Sequence, residues 1–287
     1  MLLITGGTGF VGRHLTARLL AESEPVRVLA RRPAGMPGVE TFAGDVTDLP
    51  SLLPAVEGCH AVIHLVGIIR EIGGRTYRKV HVQGTANVIE ACRQAGVPRL
   101  LHMSALGARE RAASRYHESK WQAEQLVRAS GLAATIFRPS VMFGKGSAFL
   151  STIKQLVEAP PVIPIIGAGT ALLQPIWVED VVSCFVGAHR KDDTAGHTYE
   201  LGGPETYGFE QLVDIVAEAE GIEKPKLHLP VWMVRPAAAL LSHLSARFPL
   251  TPDQLTMLLE DNVCDIAGMR QTFGVDPASL RHHLSNG

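Results

Sequence analysis

Charge of one sign is what this sequence has least of: among 287 residues, 27 basic side chains nearly cancel 28 acidic ones, leaving a formal charge of −1. That balance removes the bulk electrostatic case for nucleic acid or an anionic membrane as partner. Charged residues are 19% of the chain and hydrophobic residues 46%, so the low hydrophobicity and high net charge of disordered chains are both missing. Long apolar runs are missing too. Leu65–Ile69 is among the longest, far short of the roughly 18 residues that span a bilayer. The opening Met1-Leu2-Leu3-Ile4-Thr5-Gly6 has neither a basic n-region nor a full h-region, so it does not read as a signal peptide. Cys59, Cys92, Cys184 and Cys264 lie far apart with no Cys-x-x-Cys pair. They predict small, reduced core residues in a cytoplasmic protein rather than staples.

Metal-ligand spacing is also absent. There are 12 histidines, but no zincin motif and no Cys/His cluster. His60 and His64 are four apart, yet His64 falls in a predicted strand, so the two would not converge. His282-His283 sits near the end of the sequence, where a mobile segment is expected. The expectation is no metal, with His64 and His117 as ordinary structural histidines.

What the chain does have is 28 glycines and 18 prolines, and a regular alternation in its first half. Leu2–Thr5, Val26–Ala30, Val39–Phe42, Ala61–Val66, Leu100–Ser104 and Ala134–Phe137 read as strands. Phe10–Ala21, Arg75–Gln94 and Arg115–Ala129 read as helices. Ala61–Val66 is nearly all apolar, as in a strand buried on both faces. The alternation predicts an α/β fold with a parallel, doubly wound sheet and right-handed crossovers. After Arg138-Pro139 the pattern changes. Proline and glycine cluster over Ala159–Gly169, and Phe209, Leu212, Val213 and Val216 follow the spacing of a half-buried helix. Residues 1–140 form the expected cofactor domain, rejoined by about 171–200. Residues 141–287 form a smaller, mostly helical domain for substrate or partner.

Glycines concentrate in Thr5-Gly6-Gly7-Thr8-Gly9-Phe10-Val11-Gly12, between the first strand and the first helix. Such a turn brings a phosphate close to bare backbone and packs helix tightly on strand. The helix N-terminus then offers free N–H groups and partial positive charge to a pyrophosphate. The context is a Rossmann-type dinucleotide site. Strand two ends Val28-Leu29-Ala30-Arg31-Arg32-Pro33, without the carboxylate that holds the ribose 2′-hydroxyl of NAD. Arg31 and Arg32 suit a 2′-phosphate, which predicts NADP(H) over NAD(H).

Tyr116 and Lys120 are four apart on a predicted helix and so share a face. A nearby ammonium favours a phenolate, lowering a pKa of about 10. Tyr116 is therefore the candidate acid or base for a carbonyl or alcohol, and Lys120 also a candidate to hold the nicotinamide ribose. Ser104, at the carboxyl end of predicted strand five where such sheets bind ligands, is placed to hydrogen-bond a substrate oxygen.

These residues resemble the short-chain dehydrogenase/reductase superfamily, closest to its extended and atypical, epimerase/dehydratase-like members. Besides the glycine turn, Tyr116 and Lys120, the resemblance is carried by Gly44-Asp45-Val46, Val62–Gly67, Gly84–Val88 and Arg138-Pro139-Ser140. It continues through Trp177–Val181 and Leu201–Pro204. It implies that Asp45 and Val46 contact adenine, that Leu65, Val66 and Gly67 line the ribose side, and that Pro139, Ser140 and Val141 flank the nicotinamide. Several stretches are similar to the nucleotide-binding accessory subunit of respiratory complex I and its stand-alone bacterial relatives. They include Ser114-Arg115-Tyr116, Ser119-Lys120 with Glu124, and Gln174–Val178. That second likeness implies NADPH held without turnover. Two positions differ from the superfamily pattern. Ser104 precedes Tyr116 by only 12 residues, and His81 stands where many members carry Asn.

Two functions follow: an NADP(H)-dependent oxidoreductase on a small or lipophilic carbonyl, alcohol or sugar-nucleotide-like substrate, or a non-catalytic NADPH-binding accessory or redox-sensing protein. Residues Val231–Leu250, with Trp232, Arg235, His243 and Arg247, read as a helix with a broad apolar face. It would pack on its own domain, on a second copy in a homodimer, or against a membrane surface.

Overall fold

The computed structural model describes residues 1–32, 35–158, 161–244 and 250–285. Pro33, Ala159, Pro160 and Arg247 lie outside them, as does the side chain of His243. The chain divides into two compact units. The first comprises Met1–Pro139, Val178–Leu201 and Ala267–Val275; the second comprises Ser140–Trp177, Gly202–Ile266 and Asp276–Gly287.

The first unit is built on seven strands: β1 Leu2–Thr5, β2 Val26–Ala30, β3 Glu40–Ala43, β4 Ala61–His64, β5 Arg99–Met103, β6 Ala133–Pro139 and β7 Thr198–Leu201. They lie in the order β7-β6-β5-β4-β1-β2-β3, and every pairing is parallel. The order reverses between β1 and β4, which makes the carboxyl ends of those strands the switch point where such sheets bind ligands. The helices are α1 Phe10–Ala21, α2 Leu49–Val56, α3 Gly84–Gln94, α4 Arg115–Arg128, α5 Val178–His189 and α6 Ala267–Phe273. Helices α2, α3 and α4 pack side by side, as α1, α5 and α6 do. Leu52, Val56, Val88, Cys92 and Leu100 belong to one buried cluster of this unit.

The structure differs from the sequence reading in three places here. Helix α2 has no counterpart in it, because Pro50 and Pro54 disguise an apolar stripe of Leu49, Leu52, Leu53 and Val56. Proline in a first turn removes an N–H that has no helical partner anyway. The helix expected from Arg75 instead begins as a π-turn at Arg78–Gln83. Before it, Ile72 and Arg75 bond to each other across Gly73 and Gly74, both at positive φ. Third, residues 267–275 return to the first unit, where Phe273 meets Phe137 and Tyr199.

The segment that returns after the second unit is held by Arg99. This buried guanidinium donates to Ala133 O at 2.7 Å, Ala188 O at 2.8 Å and Thr194 Oγ1 at 2.6 Å. A second tie is Glu124 on α4. Its side chain is fully buried and takes both Nε and Nη2 of Arg138 at 2.8 Å, with Arg128 Nη2 also at 2.8 Å. Arg138 reaches on to Glu200 of β7 at 3.3 Å. These contacts tie α4 to β6 and β7.

In the second unit, helices Ala148–Glu158 and Phe209–Ala219 supply much of a core that includes Phe143, Ile153, Leu212, Val213, Val216 and Leu280. The helices are accompanied by short strand pairs: Met142–Phe143 with Ile176–Trp177, Leu172–Leu173 with Tyr207–Gly208, and Ile163–Ile166 with Lys226–Leu229. Helix Val231–Leu244 leaves Trp232 76% and Leu240 62% exposed, and among its described side chains only Ala238 is fully buried. No helix among the described residues is long and apolar enough to cross a membrane.

Removing one partner of a buried ion pair strands the other charge. Glu124→Ala is expected to destabilise the chain by about 3 kcal/mol, the low end of that range because Arg138 keeps Glu200. Urea unfolding of the variant measures it.

Candidate functional site

The glycine turn is set by steric need at each position. Gly6 has φ 82°, and Gly9 N–H donates to Gly6 O at 2.9 Å. A Cβ on Gly7 would stand 2.7 Å from Val28 Cγ2, and one on Gly12 would stand 2.2 Å from Gly6 O. Larger residues would break the turn or push α1 off the sheet. No side chain caps α1 at Gly9, so its first N–H groups are left to a ligand. Val11 is buried against the sheet, while Thr8 and Phe10 are half-buried at the rim.

The turn forms one wall of a cavity. Gly6, Thr8 and Gly9 face Leu29, Ala30 and Arg31 from the end of β2, with Gly44, Asp45 and Val46 following β3. Leu65, Val66, Gly67 and Ile68, which follow β4, complete it with Arg75. Ten of the sequence-assigned cofactor residues are thus brought to one place: Gly6, Thr8, Gly9, Arg31, Asp45, Val46, Leu65, Val66, Gly67 and, against Gly67, Lys120. Arg32 is exposed next to it and does not line the cavity. Arg75 was missed, because a residue read as helical is instead the end of a two-glycine turn. Its Nη1 lies 3.0 Å from Asp45 Oδ2, while Asp45 Oδ1 accepts the Thr47 N–H at 3.0 Å and its hydroxyl at 2.9 Å. Burial raises the Asp45 carboxyl, but the Thr47 and Arg75 donors outweigh it and hold it below the ordinary range. Asn87 of α3 fixes the neighbouring chain by donating to Val46 O at 2.9 Å.

Tyr116 and Lys120 do share one face of α4, whose N-cap Ser114 accepts the His117 N–H. Lys120 is 2% exposed; its Nζ donates to Met103 O at 3.0 Å and lies 3.2 Å from where a Cβ on Gly67 would stand. Gly67 is therefore bare where the amine meets the cavity wall. Burial brings Lys120 down to about 8, with Glu124 opposing. Tyr116 is half-buried, its ring packed edge-on against Tyr77 and His81. Burial pushes its phenol up to about 12. This reverses the direction expected from the pair alone, because burial disfavours the phenolate.

Ser104 is 3% exposed. Its N–H is spent on Phe137 O at 2.7 Å, and its hydroxyl makes no hydrogen bond of proper geometry among the described residues. It helps the arginines hold the Glu124 carboxyl low against burial. His81 is fully engaged: Nε2 accepts the Ile68 N–H at 2.9 Å, so Nδ1 carries the proton and donates to Ser119 Oγ at 2.8 Å. Burial, then Lys120 and His64, keep it neutral, at about 2. Both ring nitrogens of His81 are therefore engaged within the protein. Pro139 ends β6 and its carbonyl accepts the Leu106 N–H at 3.0 Å. In the second unit, Ser140 Oγ donates to Asn262 Oδ1 at 2.6 Å and Val141 O accepts from Ile176.

Lys120 gives the site a pH signature. Its folded pKa lies below its unfolded one, so the buried amine opposes folding most below about 8. The unfolded chain holds that proton up to about 10.5, so stability rises with pH between the two values. Lys120→Met is expected to remove this rise, on the order of 3 kcal/mol, in urea unfolding followed from pH 7 to 10.5.

Comparison with known proteins agrees with this geometry. The family described as the NAD dependent epimerase/dehydratase family matches residues 2–202. The 3 beta-hydroxysteroid dehydrogenase/Delta 5-->4-isomerase of Mycobacterium tuberculosis is 30% identical over 96% of this chain and 86% of its own length. The mitochondrial NADH dehydrogenase [ubiquinone] 1 alpha subcomplex subunit 9 of Arabidopsis thaliana is 29% identical over 90% of this chain and 68% of its own. The solved structure of MoeE5 in complex with UDP-glucuronic acid and NAD superposes with a TM-score of 0.78 at 24% identity, covering 99% of this chain and 96% of that one. With a family match over most of the chain and a long relative at this identity, the chain belongs to the NAD-dependent epimerase/dehydratase family, an NAD(P)-dependent oxidoreductase group built on the Rossmann-type sheet.

Proposed function

We propose that the chain is an NADP(H)-dependent oxidoreductase acting on a lipophilic carbonyl or alcohol, with Tyr116, Lys120 and Ser104 at the reacting oxygen. The observation that carries this is the Lys120 amine against Gly67: one residue joins the helix face of Tyr116 to the wall of the dinucleotide cavity. The cavity's residues fit such a cofactor. The bare turn and uncapped N-terminus of α1 would take the pyrophosphate, and Val46 and Asp45 the adenine side. Lys120 has three N–H donors and spends one on Met103 O, leaving two for ribose hydroxyls. Among the described residues the ionisable lining is Arg31 and Arg75 with Asp45, an excess of positive charge that supports a 2′-phosphate. When bound, the nicotinamide supplies hydride transfer.

The protein's part is then to hold the substrate oxygen and move one proton to or from it. Tyr116 is the proton-transfer group. Ser104 is the hydroxyl proposed to hydrogen-bond the substrate oxygen. Pro139, Ser140 and Val141 complete the proposal as the nicotinamide flank. A lipophilic substrate is favoured by the likeness to a hydroxysteroid dehydrogenase; the sugar-nucleotide class enters through structures that share the fold at low identity.

A second reading, an NADPH-holding accessory protein without turnover, is favoured by the likeness to the complex I subunit and by a Tyr116 phenol near 12. NADPH-dependent turnover on a panel of ketosteroids, long-chain aldehydes and UDP-sugars separates the two. Tyr116→Phe is expected to lower kcat at least about 100-fold with NADPH affinity unchanged. Turnover untouched by this change, or tight NADPH binding with no turnover on any substrate, rejects the enzymatic reading. Fluorescence titration should show NADPH bound more tightly than NADH. Arg31→Glu should reverse that order by about tenfold or more, since a single strong charge-assisted contact is worth about 1.5–3 kcal/mol.

A further inference from the structure

At the opposite edge of the same sheet, where the strands begin, three donors from distant parts of the chain come together. Glu24 lies in the link from α1 to β2, His60 immediately precedes β4, and His189 ends α5. One ligand atom from each lies within 4.8 Å of the other two. His189 Nε2 stands 3.6 Å from Glu24 Oε1, and the His60 and His189 rings lie 5.3 Å apart at a shallow tilt. We propose that Glu24, His60 and His189 form a binding site for a divalent transition-metal ion of the zinc class, separate from the dinucleotide cavity and the residues proposed for catalysis.

The donor set is the first reason. Two imidazoles and one carboxylate are the ligands that zinc, cobalt and nickel prefer, with bonds of about 2.0–2.2 Å. Neighbouring ligands around a tetrahedral ion are then roughly 3.3–3.5 Å apart. The His189–Glu24 separation of 3.6 Å is close to that value, and too long for a hydrogen bond. All three donor atoms lie within 4.8 Å of one another, and an exposed side chain such as His60 closes the remaining gap by rotation.

The state of His189 is the second reason. Its side chain is only 9% exposed, and its Nδ1 is buried without a hydrogen-bond partner among the described residues. Nε2 faces Glu24 Oε1 at 3.6 Å, so it is the ring nitrogen of this nearly buried side chain that an ion would satisfy. His60 has Nδ1 3.1 Å from the Met1 main-chain nitrogen, which leaves Nε2 for the ion. The nearby cation does not compete for Glu24, because Arg190 Nη2 is held by Glu22 at 2.5 Å. Three protein ligands leave a fourth position to water.

In the sequence the only histidine near His60 is His64, four residues away, and the expectation is no metal. Folding instead pairs His60 with residues distant in the chain. An ion here would join the starts of β2 and β4 to the end of the returning helix α5, so it would bind the folded first unit and not the unfolded chain.

The test uses the full, tag-free chain and zinc chloride, titrated in competition with a chromophoric chelator. One equivalent should bind with micromolar or tighter affinity. His60→Ala, at an exposed position that folding does not need, and Glu24→Gln should each weaken binding at least about tenfold, since even outer-sphere partners contribute that much. The His282→Ala/His283→Ala double variant should bind as the wild type does. In parallel, zinc should raise the unfolding temperature of the wild type and not of His60→Ala. Zinc bound equally by the wild type and His60→Ala, or no stoichiometric binding, overturns the proposal; the NADPH titration is expected to be the same in both chains.

Discussion

The bidentate tie between Glu124 and Arg138 is the constraint on which the site depends. Glu124 lies one turn beyond Lys120 and two beyond Tyr116, so the three share one face of α4. Fixing that carboxylate to β6 sets the helix's rotation and its height over the sheet together. A carboxylate with no exposure is costly unless fully bonded. Here two guanidiniums supply three N–H donors to its two oxygens. An apolar pair of the same shape could hold helix to strand as firmly. It would lack the angular control of two parallel N–H···O bonds, and that control fixes the helix face from which Lys120 meets Gly67 of the cavity wall.

Three buried histidines lie near Lys120. His64, His81 and His102 are each about 1% exposed. Burial pushes all three well below their ordinary value, and the Lys120 charge adds to it. Thr5 and Thr85 partner His64, Ile68 and Ser119 partner His81, and both nitrogens of His102 are left without partners among the described residues. A second cation here would face the Lys120 amine across a low-dielectric interior. The imidazoles stay neutral, and the Lys120 amine lies where Gly67 opens to the cavity. The same burial that lowers Lys120 raises Tyr116, so the two groups approach each other in environment without forming the phenolate–ammonium pair that spacing alone suggests.

What could be read in the sequence was what depends on neighbours in the chain. Gly7 and Gly12 must be bare because the turn folds back on Val28 and Gly6, and the strand and helix on either side announce that geometry. Tyr116 and Lys120 share a face by spacing alone. The buried Cys59, Cys92 and Cys184 are free thiols in the core, as their scatter indicated. What could not be read depends on segments far apart or on burial depth. Arg75 reaches Asp45 only because two glycines at positive φ turn the chain before the helix starts. Arg99 looks like an ordinary strand residue until the returning segment presents Ala188 and Thr194 to it. Residues 267–275 carry little more apolar signal than Met269 and Phe273, too short a pattern to predict that they join the first unit. The phenol shift of Tyr116 has no sequence signature at all, since a pKa follows the solvent a group has lost.

That shift has a consequence for the proposed chemistry. A general acid or base works best with a pKa near the operating pH. At about 12 the Tyr116 phenol keeps its proton at neutral pH, so it is a poor base toward an alcohol. It is a competent acid toward an oxygen that is becoming an alkoxide, because an alkoxide is the stronger base. On the proposed reading the site is therefore arranged for carbonyl reduction, with Tyr116 giving its proton as charge develops on the substrate oxygen. Lys120, near 8 and mostly protonated at neutral pH, then does more than orient. Its positive charge lies on the same helix face as the phenolate left behind, so the interaction absent in the resting pair is gained as the proton leaves. An attraction that strengthens along the reaction is the kind that lowers a barrier rather than merely tightening binding.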